Sequence, residues 1–132
     1  MSATITLTDQ DKSTIRVAAY GAVSLLAAAG APHKGITQGS IALTSATGLV
    51  GHVLSAKAKD IKLKGKNAAE LAEQVLPALT TAMAVLNEQN PAEADNFRST
   101  VLVAAEATAH SGKPSPAVTA MAHKITEALS AA

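Results

Sequence analysis

The segment from Val17 to Ala29 carries no charged residue, and its apolar side chains fall on nearly every face of a helix. Tyr20 and Ser24 are the main exceptions. A helix that is apolar all round has to be enclosed by other elements, because its side chains would otherwise face water. This segment therefore predicts a helix inside a bundle.

The amino-acid composition indicates that the other elements are helices too. The chain has 132 residues, of which 30 are alanine, one is phenylalanine, one is tyrosine and none is tryptophan. Alanine is the best intrinsic helix former, and it buries little area, so stability has to come from close contacts between helices. We predict a single all-α domain over residues 1–132, folded as a compact bundle of about five helices.

The first two predicted helices lie in the N-terminal half. Thr8 and Asp11 have the spacing of a capping box, and the first helix runs from there to about Ala29. The second runs from about Ile36 to about Ala58 and contains several glycines, which lower helix propensity. We therefore predict a break in it near Gly48.

Three more helices are predicted from caps and from apolar stripes. The third begins after Asn67, and Pro77 is expected to kink or divide it. The fourth begins after Asn90, with proline at its first position, and the fifth begins in the same way after Ser115. Their predicted inward-facing positions are Leu71, Val75, Leu79, Met83 and Leu86 in the third, Phe97, Val101, Ala104 or Ala105 and Thr108 in the fourth, and Val118, Met121, Ile125 and Leu129 in the fifth.

Two segments are predicted to be non-helical. Residues 1–8 alternate apolar side chains with threonine and indicate an extended N-terminal arm. Residues 57–66 hold five lysines and one aspartate and indicate a linker. Ile61 and Leu63 of this linker could pair with Ile5 and Leu7 of the arm.

A faint internal repeat runs through the chain at a spacing of 82 residues. It predicts two helix–turn–helix units related by a pseudo-two-fold arrangement. The aligned residues are Ile15-Arg16 with Phe97-Arg98, Gly30 with Gly112, Pro32 with Pro114, and Thr37 with Thr119.

No motif supports a phosphate or metal site. The run Gly112 to Ser115 contains Lys113 but lacks the first glycine and the preceding strand of a phosphate loop, so it is predicted to turn the chain between helices. No two of the four histidines are three or four residues apart, as two ligands on one helical turn would be. These histidines are His33, His52, His110 and His123.

The charged residues are also interpreted as structural. Asp9 with Asp11, and Glu93 with Asp95, stand where they oppose the dipole of a helix N-terminus. Arg16 and Arg98 lie one turn further along and are expected to pair with Asp11 or Asp95. We therefore predict no catalytic, cofactor-binding or metal-binding residues, and no enzymatic activity.

Charge and hydropathy bear on the class of partner. Outside residues 57–66 the formal charge is −3, and no aromatic side chains accompany the lysines, so nucleic-acid binding is not expected. Residues 17–53 resemble a membrane hairpin only partly, because they are rich in alanine, threonine, serine and glycine. The N-terminus lacks the pattern of a signal peptide, and we expect the protein in the cytoplasm.

The segment from Ala104 to Leu129, "AAEATAHSGKPSPAVTAMAHKITEAL", resembles the helix–turn–helix unit of the tellurite-resistance TerB-like family. The resemblance implies an all-helical fold and a role in stress response. The acidic residues that the family associates with metal binding are replaced here by Ser111, Ala117 and Val118. No site residues are therefore transferred from the family.

Two functions remain open from the sequence. The first is self-association, with a dimer favoured, or binding to another protein, because the first two helices carry more uncharged surface than a small domain readily encloses. The second is a binding module for a small apolar or lipid-like ligand between the helices. Both interpretations use the same five residues as interface or pocket: Leu25, Leu26, Leu43, Val50 and Leu54.

Overall fold

The computed structural model describes residues 7–55, 63, 65, 67–110 and 115–131. Within this part the chain forms six α-helices and no strand, which confirms the predicted all-α bundle. The helices are α1 (Asp9–Ala28), α2 (His33–Thr44), α3 (Gly48–Ser55), α4 (Ala68–Gln89), α5 (Pro91–Ala109) and α6 (Pro116–Ser130).

The sixth helix arises because the predicted second helix is two helices. The α-helix α2 ends at Thr44, and α3 begins at Gly48, which has a φ of +71°. The gap between the two helices confirms the predicted break near Gly48. Glycine suits this position because it adopts a left-handed backbone without strain. At its other end α2 begins at His33, three residues earlier than predicted, because the carbonyl oxygen of Pro32 accepts the N–H groups of Gly35 and Ile36.

The predicted caps of the other helices are confirmed. The Thr8 hydroxyl accepts the Asp11 N–H at 3.0 Å, and the Asp11 carboxylate accepts the Thr8 N–H at 3.1 Å. The side chains of Asn67, Asn90 and Ser115 accept N–H groups in the first turns of α4, α5 and α6. These local bonds satisfy donors that have no partner inside the helix, and they fix where each helix begins.

Pro77 does not divide α4, which is continuous from Ala68 to Gln89. Pro77 is exposed, and it has no N–H group to donate to the Glu73 carbonyl oxygen one turn earlier. The predicted apolar stripe of this helix is buried on both sides of the proline: Leu71, Val75, Leu79, Met83 and Leu86. Packing of this stripe on the bundle offsets the lost hydrogen bond.

The core runs through all six helices. α1 packs most extensively on α4, and α2 packs most extensively on α5. Gly39 of α2 lies beside Thr108 of α5, and Gly48 lies beside Glu93, so α2 runs antiparallel to α5. The predicted inward-facing residues of α5 and α6 are all buried.

The internal repeat extends to helix bounds and burial. Pro91 begins α5 82 residues after Asp9 begins α1. Five buried pairs coincide at this spacing: Ile15 and Phe97, Ala19 and Val101, Ala22 and Ala104, Val23 and Ala105, Leu26 and Thr108. The two halves nevertheless pack differently, because α2 contacts mainly α5 whereas its counterpart α6 contacts mainly α4.

Residues 1–6 of the predicted arm and most of the predicted linker lie outside the described residues. Leu7 and Leu63 are partly buried against the core. The pairing of the two segments stays a prediction. The predicted turn at residues 111–114 also lies outside the described residues.

Candidate functional site

The five residues predicted to line a pocket or an interface all belong to the closed core. Leu25, Leu26, Leu43 and Val50 are 0% exposed, and Leu54 is 2% exposed. Side chains that are enclosed in this way offer no surface to another chain in this conformation. The expected excess of uncharged surface on the first helix is absorbed by the bundle itself, because α1 is covered mainly by α4 and also by α2, α3, α5 and α6.

The large apolar side chains that do face solvent in the described part of the chain are Ile41, at 53% exposure, and Val103, at 57%. Ile41 lies on the outward face of α2, and Val103 lies on the outward face of α5. Single exposed apolar side chains are common on soluble proteins. Neither residue by itself defines a binding surface.

An open groove with an apolar lining follows the outward face of α6. Its volume is about 600 Å³, and the described residues that line it are Ser115, Pro116, Thr119, Ala120 and His123. These positions recur at the three- and four-residue spacings that place side chains on one face of a helix. The opposite face of α6 is buried in the core. We call this surface the α6 groove.

Among the described residues of this face, ionisable groups stand only at the C-terminal end. His123 lies 2.9 Å from the Glu127 carboxylate, one turn further along the helix, and Lys124 is exposed beside it. At the other end the Ser115 hydroxyl accepts the Val118 N–H at 3.5 Å. The outward face of α6 therefore changes from apolar near its N-terminus to charged near its C-terminus.

A second depression, of about 410 Å³, lies at the first turns of α4 and has a polar lining that includes Gly65, Glu70, Glu73 and Gln74. Glu70 is already engaged, because its carboxylate accepts the Asn67 side-chain amide at 3.0 Å. This depression is part of the N-terminal cap of α4.

The short helix α3 is held at its N-terminus by two side chains of α5. The Glu93 carboxylate accepts the Val50 N–H at 3.1 Å. The Asn96 side-chain amide donates to the Thr47 carbonyl oxygen at 2.9 Å and to Glu93 at 3.4 Å. The sequence predicted that Glu93 would serve the dipole of its own helix, and it also reaches across to a second helix.

The C-terminus of α3 is held by two side chains of α1. The Arg16 Nε–H donates to the Val53 carbonyl oxygen at 3.1 Å, and the Tyr20 hydroxyl donates to the Leu54 carbonyl oxygen at 2.6 Å. Burial raises the pKa of the Tyr20 hydroxyl above its ordinary value, and the nearby Arg16 guanidinium lowers it by a smaller amount. Arg16 therefore binds a helix terminus, and its pairing with Asp11 stays a prediction.

The other arginine pairs as the sequence predicts. Arg98 lies 3.6 Å from the Asp95 carboxylate, with both side chains partly exposed. Its Nε–H is buried and has no hydrogen-bond partner among the described residues. Arg16 and Arg98 are aligned in the predicted internal repeat, but the contacts described for their side chains differ.

The histidines do not gather into a metal site. His33 at the start of α2 and His110 at the end of α5 lie at the same end of the bundle, and both are exposed. Across the described residues no three histidine, cysteine, aspartate or glutamate side chains are grouped so that they could hold a metal ion. The same part of the chain also has no helix long and apolar enough to cross a membrane.

Comparisons of the chain with protein-family models, with curated proteins and with solved structures returned no match. The resemblance to the TerB-like family therefore stays a prediction. The fold alone defines the class of protein, and that fold is an all-α bundle.

The α6 groove was not predicted from the sequence, because the predicted pocket or interface was placed on the longest uncharged segments. The available signal was the second face of the fifth predicted helix. From Pro116 to Ala122 that helix has no charged residue on either face. Once Val118 and Met121 are assigned to the core, the remaining side chains of this segment form an uncharged outward face.

Proposed function

We propose that this protein acts through binding rather than chemistry, as a helical bundle that associates with a second copy of itself through the α6 groove. The observation that carries the proposal is the apolar lining of that groove on an outward helix face. Apolar surface that becomes covered in a dimer contributes favourable free energy in proportion to its area. The five residues predicted from the sequence as a pocket or interface are buried in the core and take no part in this contact.

The charges on α6 favour a second copy as the occupant. A two-fold axis between Ala120 and His123 pairs each α6 with its copy in antiparallel fashion. In this arrangement Glu127 of each chain lies near Pro116 of the other, where the helix N-terminus carries partial positive charge. The face is therefore complementary to itself, as a two-fold interface requires.

Small side chains allow the two helices to approach closely. Ala120 lies at the centre of the proposed contact, with Thr119 beside it. Two helices that pack through one face bury less than the roughly 1,200 Å² of a standard stable interface. We therefore expect a weak dimer whose population rises with protein concentration.

Sedimentation equilibrium over a concentration series tests this function. Ala120→Arg places a long cation in the middle of the groove, and it should keep the protein monomeric. Ala84→Arg, at an exposed position of α4, makes the same change elsewhere and should dimerise like the wild type. A wild-type protein that stays monomeric throughout, or an Ala120→Arg variant that dimerises equally well, overturns the proposal.

A further inference from the structure

The helix α3 is fastened to the bundle by groups of opposite charge at its two ends. At the N-terminus the Glu93 carboxylate accepts the Val50 N–H, and at the C-terminus the Arg16 guanidinium donates to the Val53 carbonyl oxygen. An anion at the N-terminus and a cation at the C-terminus both stabilise the helix dipole. Both groups come from other helices, so they stabilise the helix only while it is docked.

Alone, α3 is too short to keep its structure. It has eight residues, Gly48–Ser55, two of which are glycine, whereas isolated helices below about 12 residues are marginal in water even with favourable sequences. Its helical state therefore depends on docking. The undocked segment is therefore expected to lose its helical structure as a single unit.

The connection before α3 permits the helix to leave the bundle. Residues 45–47 separate it from α2, and Gly48 then adopts a left-handed backbone that glycine enters without strain. The Asn96 side chain holds this connection through the Thr47 carbonyl oxygen, at 2.9 Å. Apart from that bond, the contact of Glu93 with the first turn is the main polar attachment at this end.

The most extensive helix packing in the described part of the chain does not involve α3. The most extensive contacts are those between α1 and α4 and between α2 and α5, and neither pair includes α3. The side chains that α3 buries are Val50, Val53 and Leu54. Its release would uncover these side chains and the core beneath them while the five other helices remain packed.

We infer that α3 is a hinged cover, which opens as one unit and exposes an apolar face of the core while the remainder of the bundle stays folded. The side chains of Glu93 and Asn96 at one end, and of Arg16 and Tyr20 at the other, hold it closed. Segments that open below the global unfolding free energy are recognised by their faster amide hydrogen exchange. This cover is independent of the α6 groove.

Hydrogen exchange of the wild-type protein, followed by mass spectrometry under native conditions, tests the cover. We expect the amides of residues 50–55 to exchange faster than the core amides of α4, through an opening that exposes α3 alone. Exchange of α3 and α4 at one common rate, limited by global unfolding, overturns the inference.

Glu93→Ala then separates local opening from general loss of stability. Because a hydrogen bond to a charged group is lost, the opening equilibrium of α3 should increase about tenfold or more. The exchange rates of the α4 amides should change much less between the wild type and Glu93→Ala than those of the α3 amides. Asp95→Ala is the matched control, since it removes a carboxylate from the same end of α5 without touching α3. Equal effects of the two variants on α3, or equal acceleration of α3 and α4 in Glu93→Ala, contradict the cover.

Discussion

Gly39 of α2 lies directly against Thr108 of α5, at a point where a Cβ atom on residue 39 would overlap the Thr108 hydroxyl oxygen. The same Cβ atom would stand 3.0 Å from the Ala104 carbonyl oxygen. The Thr108 hydroxyl is itself fixed, because it donates to that carbonyl oxygen at 2.7 Å. The missing side chain at Gly39 is what allows these two helices to pack so closely.

Gly39→Ala should therefore destabilise the protein, although alanine is a better helix former than glycine. We expect the overpacked contact to outweigh the gain in helix propensity and to lower the free energy of unfolding by about 1–3 kcal/mol. Urea unfolding followed by circular dichroism measures the change. Gln38→Ala, an exposed neighbour on the same helix, should alter stability by no more than about 0.5 kcal/mol.

The cause can be checked with a double-mutant cycle. Thr108→Ala removes the hydroxyl that opposes the new Cβ atom, so the two substitutions together should cost less than the sum of their separate costs. The rescue should be partial, because the Ala104 carbonyl oxygen remains in place. Strictly additive effects would show that the contact between residues 39 and 108 is not the source of the destabilisation.

Pro77→Ala should stabilise the protein. The helix α4 passes through Pro77 without division, so an alanine at this position can donate the missing intrahelical hydrogen bond. We expect the free energy of unfolding to rise by up to about 3 kcal/mol, the propensity difference between the two residues in a helix interior.

Thr81→Ala is the matched control for the proline substitution. It lies at an exposed position one turn further along α4 and changes only the intrinsic propensity. It should raise stability by at most about 0.7 kcal/mol. If Pro77→Ala is no more stable than this control, or is less stable than the wild type, the proline has a packing role that the helix geometry does not reveal.

The helix starts and inward faces could be predicted because they depend on local chemistry. The Thr8 capping box involves residues three apart, and the stripe through Leu71 and Val75 follows directly from helical periodicity. The break at Gly48 was predictable for the same reason. Glycine is the residue type that favours a left-handed backbone, although Gly39 and Gly51 lie inside helices.

The features that escaped prediction depend on contacts between distant parts of the chain. Glu93 binds a residue 43 positions away, and no local pattern distinguishes it from an ordinary first-turn carboxylate. The five residues predicted as pocket or interface are buried because other helices pack on them. The local sequence around these residues does not indicate which helices will do so. The outward face of α6 is a different case, because its uncharged residues follow from the same periodicity that placed Val118 and Met121 on the inward face.

Thr8→Ala should test how much α1 depends on its capping box. The substitution removes the hydroxyl that accepts the Asp11 N–H, and it should lower the free energy of unfolding by about 1 kcal/mol. Thr8→Ser keeps the hydroxyl and should retain most of the stability. Thermal unfolding of the two variants beside the wild type provides the measurement. Equal losses in both variants would trace the effect to the methyl group rather than to the cap.

Tyr20→Phe should lower stability at neutral pH and change its dependence on alkaline pH. The variant loses the hydrogen bond from the hydroxyl to the Leu54 carbonyl oxygen, which is worth about 0.5–1.5 kcal/mol. Burial raises the pKa of this hydroxyl in the folded state, so the folded protein keeps its proton at a pH where the unfolded chain has released it. The unfolded state then binds fewer protons, and the stability that Tyr20 contributes falls as pH rises.

This contribution should be fully present below about pH 10, the ordinary tyrosine pKa, and should be lost as pH rises through the higher folded-state pKa. The informative quantity is the difference in unfolding free energy between the wild type and Tyr20→Phe at each pH, because contributions that the two proteins share cancel in it. That difference should narrow with increasing pH. Because the chain has one tyrosine and no tryptophan, the ultraviolet absorbance of the folded wild type also reports ionisation of Tyr20 directly. Parallel stability curves for the two proteins, or an ordinary pKa in the absorbance titration, would show that the hydroxyl is not held in its neutral form by the fold.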